Sequence, residues 1–135
     1  MNDTVRTVYI SGPITGDPEY RDKFAAAEHT LRVLGLAAYN PADILSPLDE
    51  KGVDYDTILD CCIKIVRCHD AIALLPSWEQ SNGAKLELAR YCESRNAEDY
   101  VIFELNMYPD PTSPKKYSTV VTRFDGFLAW LTEHV

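Results

Sequence analysis

The sequence predicts an α/β fold, one three-layer domain over residues 1–135 with a mostly parallel five-stranded sheet. Three observations carry this expectation. Short apolar runs alternate with helix-period segments along the chain, as in strands joined by crossover helices. The runs Val5–Ile10 and His69–Pro76 are largely apolar, the pattern of strands buried on both faces. Each is followed by a polar turn that opens a helix, which puts both turns at the carboxyl edge of a parallel sheet, where open α/β folds hold ligands.

The elements follow in order. Val5–Ile10 is the first strand, stopped by Gly12, Pro13 and Gly16 before a helix from about Pro18 to Leu34. In that helix Tyr20, Phe24, Ala27, Leu31 and Leu34 recur at spacings of four, three, four and three, a core-facing stripe, and Gly35 ends it. Strand Leu36–Tyr39 meets Asn40-Pro41. The stretch from Ala42 to Asp54 reads as a loop long enough for a lid or a subunit contact. Helix Tyr55–Cys68, strand Asp70–Leu75, helix Gly83–Asn96 and strand Tyr100–Leu105 come next. Pro109, Pro111 and Pro114 mark a flexible connection. A short strand near Tyr117–Val121 and a last helix with Phe124, Phe127, Leu128 and Leu131 complete the domain, with no internal repeat.

Composition narrows the partners. A net charge of -8 argues against a nucleic-acid duplex or a membrane surface, because nucleic-acid binders present basic stripes. A small anion in a local pocket remains compatible. No apolar run approaches the ~20 residues of a membrane span, and Met1-Asn2-Asp3-Thr4 lacks the basic start and apolar core of a signal peptide, so a cytoplasmic protein is expected. The four cysteines include no Cys-x-x-Cys pair and read as reduced, small apolar side chains. Cys68 and His69 lack two further ligands at zinc spacing, so no metal is expected.

The chemistry-bearing residues lie in the two turns. Ser81 and Asn82 cap the helix that holds Glu87, and the free N–H groups at such a start form an anion site. Glu87 lies about one turn further in, facing the same ligand from the side. In a parallel sheet the turn after the first strand converges with it at the switch point. Tyr9, the loop Ser11, Gly12, Pro13, Ile14, Thr15, Gly16, and Ser81 and Glu87 would then line one cleft. Trp78 stands at a strand end, where its ring either stacks on a base or sugar or caps the core. Asp17 and Asp43 are candidates for ribose contact against the alternative of solvated surface acids.

Three segments, Tyr9-Ile10-Ser11-Gly12-Pro13-Ile14-Thr15-Gly16, Cys68-His69-Asp70-Ala71-Ile72-Ala73-Leu74-Leu75-Pro76, and Trp78 through Ala89, together resemble the nucleoside 2-deoxyribosyltransferase superfamily. That superfamily includes the 2′-deoxynucleoside 5′-monophosphate N-glycosidases. The resemblance implies a flavodoxin- or Rossmann-like sandwich, no cofactor, and a homodimer or homotetramer whose sites a neighbouring subunit completes, with Pro109–Ser118 the candidate for that role against the alternative of a mobile surface loop. It implies that Glu87 attacks or stabilises the anomeric carbon, that Tyr9 orients it, and that the first loop, Trp78, Ser81 and Gly83 bind substrate. Six residues before the glutamate the nucleoside transferases carry an aspartate and the nucleotide hydrolases a serine. Ser81 stands there, and a hydroxyl at a helix start can donate to a phosphate that a carboxylate would repel.

Two positions depart from the family pattern. Thr15 replaces a phosphate-gripping arginine, leaving Arg21 or Lys23 as substitutes. Cys62 stands eight residues before Asp70, where the family has a catalytic aspartate. The acid that protonates the leaving base is then one of Asp60, Asp70 and Asp56, although Asp60 would point elsewhere on a regular helix. The expected activity is N-glycosidic cleavage of a (deoxy)nucleoside 5′-monophosphate. Nucleoside deoxyribosyl transfer and a catalytically silent nucleotide-binding module are the alternatives.

Overall fold

The computed structural model describes residues 5–125. Its strands are β1 (Thr7–Ser11), β2 (Ala37–Tyr39), β3 (Ala71–Leu74), β4 (Ile102–Pro109) and β5 (Tyr117–Arg123), in one sheet of order β2-β1-β3-β4-β5. Its α-helices are α1 (Tyr20–Val33), α2 (Ala42–Glu50), α3 (Tyr55–Val66) and α4 (Asn82–Glu93). The predicted last helix, with Phe127, Leu128 and Leu131, lies outside the described residues. Phe124 is described, and its backbone N–H donates to Ile102 O at 2.7 Å.

The sheet is mixed, which corrects the expectation of a mostly parallel one. β2, β1, β3 and β4 pair in parallel, whereas β5 pairs antiparallel with β4 over the seven positions from Phe103↔Arg123 to Pro109↔Tyr117. That ribbon is longer than any of the parallel pairings. A two-stranded hairpin needs only a tight turn, whereas a parallel partner needs a crossover. The expected connection is the turn of this hairpin, with Pro109 ending β4 and Asp110 bonded across it. The carboxylate of Asp110 accepts from Thr112 Oγ1 and Ser118 Oγ, each at 2.6 Å, while its N–H donates to Lys116 O at 2.7 Å.

Helices cover both faces of the sheet. Alternation along β1 sends Val8 and Ile10 to one side and Tyr9 to the other; along β3, Ala71 and Ala73 part from Ile72 and Leu74 in the same way. On the first side Phe24, Ala27 and Leu31 of α1 complete a core, as their spacing predicts. Leu34, expected in that stripe, instead caps the helix and is 58% exposed, because the chain leaves helical geometry there and turns at Gly35 (φ +88°). On the second side Ile58, Cys62 and Val66 of α3 meet Ala84, Leu88 and Tyr91 of α4.

Residues 42–50 form α2 and not the predicted loop. Pro47 inside the segment suggested a break. Pro47 is the sixth of its nine residues, past the first turn, so its missing N–H removes an intrahelical bond and the short helix is held by packing against α1 and α3.

Candidate active site

The strand order places the switch point between β1 and β3, so the loops that leave their carboxyl ends open onto one crevice. A cavity of about 300 Å³ lies there. Gly12, Ile14 and Thr15 come to it from the first loop, Ser81, Gly83, Ala84 and Glu87 from α4, Tyr55, Ile58, Leu59 and Cys62 from α3, and Tyr20 from α1.

One close approach and one backbone turn shape it. The first loop runs so near β3 that a Cβ on Gly12 would stand 2.6 Å from Leu75 Cβ, and Leu75 N–H donates to Ser11 O at 2.8 Å. Only glycine fits that crossing. Between β3 and α4, Ser77 adopts left-handed backbone (φ 66°) ahead of a 3-10 turn over Trp78–Gln80. Ser81 then caps α4, its Oγ accepting from Ala84 N–H at 3.2 Å and its carbonyl from Lys85 N–H at 3.0 Å. The N–H groups of Asn82 and Gly83 have no acceptor within the helix.

Glu87 is the centre of the site. It is only 7% exposed, and both carboxylate oxygens are held: the Tyr9 hydroxyl donates to Oε2, and Ser11 Oγ donates to Oε1 at 2.6 Å. Burial pushes the Glu87 carboxyl above its ordinary range, and the Ser11 and Tyr9 hydroxyls partly offset that by stabilising the anion. Tyr9 is itself buried, and burial together with the neighbouring Glu87 charge pushes its ionisation far upward, so it remains a donor. The Tyr39 ring stacks on Tyr9 at 5.6 Å and the His69 ring meets it edge-on at 5.8 Å, fixing the phenol's direction.

Cys62 lies in the same cavity. Burial pushes its thiol up to about 11, the Tyr9 hydroxyl opposes this, and the Glu87 charge adds to it. At neutral pH it is an uncharged thiol in the cavity that Glu87 also lines.

The other residues singled out from sequence fall in different places. Ser11 bonds Glu87 and so acts on the carboxylate, while Gly12, Ile14, Thr15, Ser81 and Gly83 line the cavity. Pro13 and Gly16 belong to the loop but are not among the cavity walls, and Gly16 serves its turn at φ +85°. Trp78 is 3% exposed in the core under α4, so its ring caps that core and does not face the cavity. Asp60 is exposed on α3, and so is Asp56. Asp70 precedes β3 at the opposite, amino edge of the sheet, where it accepts from the N–H groups of Arg6 at 2.8 Å and Thr7 at 3.1 Å. None of these three carboxylates lines the cavity. Lys23 pairs with Asp17 at 2.8 Å and Arg21 with Glu50 at 3.6 Å, so neither reaches the cavity to replace the missing arginine. Asp43 is exposed in the first turn of α2.

Sequence reasoning missed Tyr55, Ile58 and Leu59 as cavity walls and gave Tyr20 only a core role. The usable signal was the 3.6-residue period: Tyr55, Ile58, Leu59 and Cys62 lie at spacings of three, one and three, on one face of α3. Among the described residues no group of three or more His, Cys, Asp or Glu is arranged to hold a metal, and no helix is long and apolar enough to cross a membrane.

Residues 6–96 match a protein-family model described as a domain of unknown function (DUF4406), a span that contains Tyr9, Ser11, Cys62, Ser81 and Glu87. No curated protein matches the chain.

Proposed function

The chain belongs to the DUF4406 family, and on that premise we propose, from the chemistry of its cavity, that it cleaves the N-glycosidic bond of a (deoxy)nucleoside 5′-monophosphate. The observation that carries this reading is the buried Glu87 carboxylate, gripped by Tyr9 and Ser11 and opening onto a cavity with an anion-accepting helix start beside it. Its resemblance to the nucleoside 2-deoxyribosyltransferase superfamily, through the Tyr9–Gly16 and Trp78–Ala89 segments, supports the same assignment.

The chemistry follows from charge. As the C1′–N bond breaks, its electron pair leaves with the base and positive charge develops on the sugar. A preorganised carboxylate either stabilises that charge or forms a covalent ester with C1′. Water then attacks C1′, restoring Glu87 and releasing sugar phosphate, and the proton it loses ends on the nitrogen of the departed base. The hydroxyls of Tyr9 and Ser11 keep the carboxylate aimed, and the N–H groups of Asn82 and Gly83 with the Ser81 hydroxyl receive the 5′-phosphate. The apolar wall of Ile58 and Leu59 suits the flat face of a base.

A second reading, a nucleotide-binding module without turnover, is favoured by one observation: the cavity places a neutral thiol at Cys62 where the related hydrolases have an acid. One experiment separates them. Nucleosides and nucleoside monophosphates are screened for free base by chromatography, with and without an acceptor base. We expect base release from a monophosphate, reduced at least about a hundredfold in Glu87→Gln, since one well-placed charge stabiliser is worth on the order of 3 kcal/mol. Thermal stabilisation by a nucleotide with no base released would instead favour the binding module.

A further inference from the structure

We infer that Tyr55 is a specificity-determining residue of this cavity: its phenol, lying against the first turn of α4, donates a hydrogen bond to the ligand's anionic group and selects the 5′-phosphate. The inference rests on the nucleotide reading above and adds to it a residue that neither the sequence pattern nor that reading assigns.

The geometry brings Tyr55 to the start of α4. Asp54 caps α3, accepting from Thr57 N–H at 3.2 Å and Thr57 Oγ1 at 2.7 Å, and this fixes the direction in which the next residue leaves the helix. A Cβ on Gly83 would stand 2.8 Å from the Tyr55 hydroxyl and 4.0 Å from Ser81 Oγ. Gly83 is therefore the residue whose missing side chain lets the phenol reach the helix start. The phenol and the Ser81 hydroxyl thus both stand beside Gly83 at the start of α4, and all three residues line the cavity. Tyr55 is 57% exposed and lines the cavity, so it is open to solvent and to a ligand in the cavity alike.

The electrostatics suit a donor. Burial and the Glu87 charge both push the Tyr55 phenol above its ordinary range, so it keeps its proton at neutral pH. A phosphate dianion needs several donors, and among the described residues lining the cavity there is no lysine or arginine. A phenol at the helix start supplies a charge-assisted hydrogen bond in place of a cation.

The test compares the parent protein, Tyr55→Phe, Gly83→Ala and the double variant, on a nucleoside monophosphate and the matching nucleoside. Tyr55→Phe removes one oxygen from an exposed ring and should leave the melting curve in place. It should raise KM for the monophosphate about tenfold, the size of one hydrogen bond to a charged group, with a much smaller change in kcat and less than about a twofold change in nucleoside KM. Gly83→Ala displaces the phenol and should do the same. The double variant should be no worse than the worse single one, because both substitutions remove one shared contact. Equal KM increases for both substrates, or a fall in kcat alone, would overturn the inference. Stabilisation by inorganic phosphate is read in parallel. If no N-glycosidic bond is cleaved, the proposed activity fails while this arm still decides on Tyr55: phosphate should raise the melting temperature of the parent and not of Tyr55→Phe, and equal shifts would overturn the assignment.

Discussion

At the scale of single residues, the burial of Glu87 ties stability to pH. Its folded-state pKa is raised, so the folded protein holds that proton more tightly than the unfolded chain does. The associated stability is complete below the unfolded carboxyl value and is lost as pH rises through the folded one. Glu87→Gln cannot ionise and should therefore melt higher than the parent at pH 8 and not at pH 4, by calorimetry at both. An equal shift at both would point to shape and not charge. Ser11→Ala removes a donor to the anion, which leaves burial less opposed and moves the Glu87 pKa further up. If ionised Glu87 does the chemistry, the acid limb of the kcat/KM profile moves to higher pH in that variant. A limb that stays put would belong to another group.

At the scale of elements, the site depends on two loops meeting at fixed spacing. Gly12→Ala forces its new Cβ against Leu75, so the first loop or β3 has to shift, at a cost of about 1–3 kcal/mol of overpacking. A thermal melt should fall by several degrees. Ser81→Asp tests the start of α4 differently. Aspartate is a good N-cap, so the helix should hold, while its charge repels phosphate and monophosphate turnover should drop about tenfold or more. Equal loss on nucleosides would leave Ser81 as a cap alone. These elements were legible to different degrees. The stripe of α1 and the Ser81 cap are local patterns, readable from neighbours three or four apart. So was the phase argument against Asp60: Cys62, two positions on, faces the cavity, and two residues turn a helix by about 200°. Residues 42–50 resisted because Pro47 reads as a breaker, and only packing against α1 and α3 sustains a helix there. The outer half of β4 was missed because Asn106, Tyr108 and Pro109 are exposed and polar enough to read as a turn, and their strand geometry comes from pairing with β5.

At the scale of the whole molecule, the two cores flank one sheet and shelter the thiols unequally. Cys61 and Cys68 are exposed, Cys92 is half-buried and Cys62 is buried. A thiol reagent should modify two cysteines of the native protein quickly and all four in denaturant, with Cys62 last. Fast reaction of Cys62 in the native protein would mean that the cavity opens readily. The bonds from Tyr9 and Ser11 to Glu87 carry a different implication. They join residues 78 and 76 positions apart in the chain. No fragment that stops short of α4 contains a pocket, and α4 alone contains a carboxylate with nothing to aim it. A cut in the exposed turn at Gly52 would separate the two phenol and hydroxyl donors from their acceptor. Each half would lack the assembled site, and any ligand binding or turnover found on mixing them would measure how well the severed sheet finds its own register.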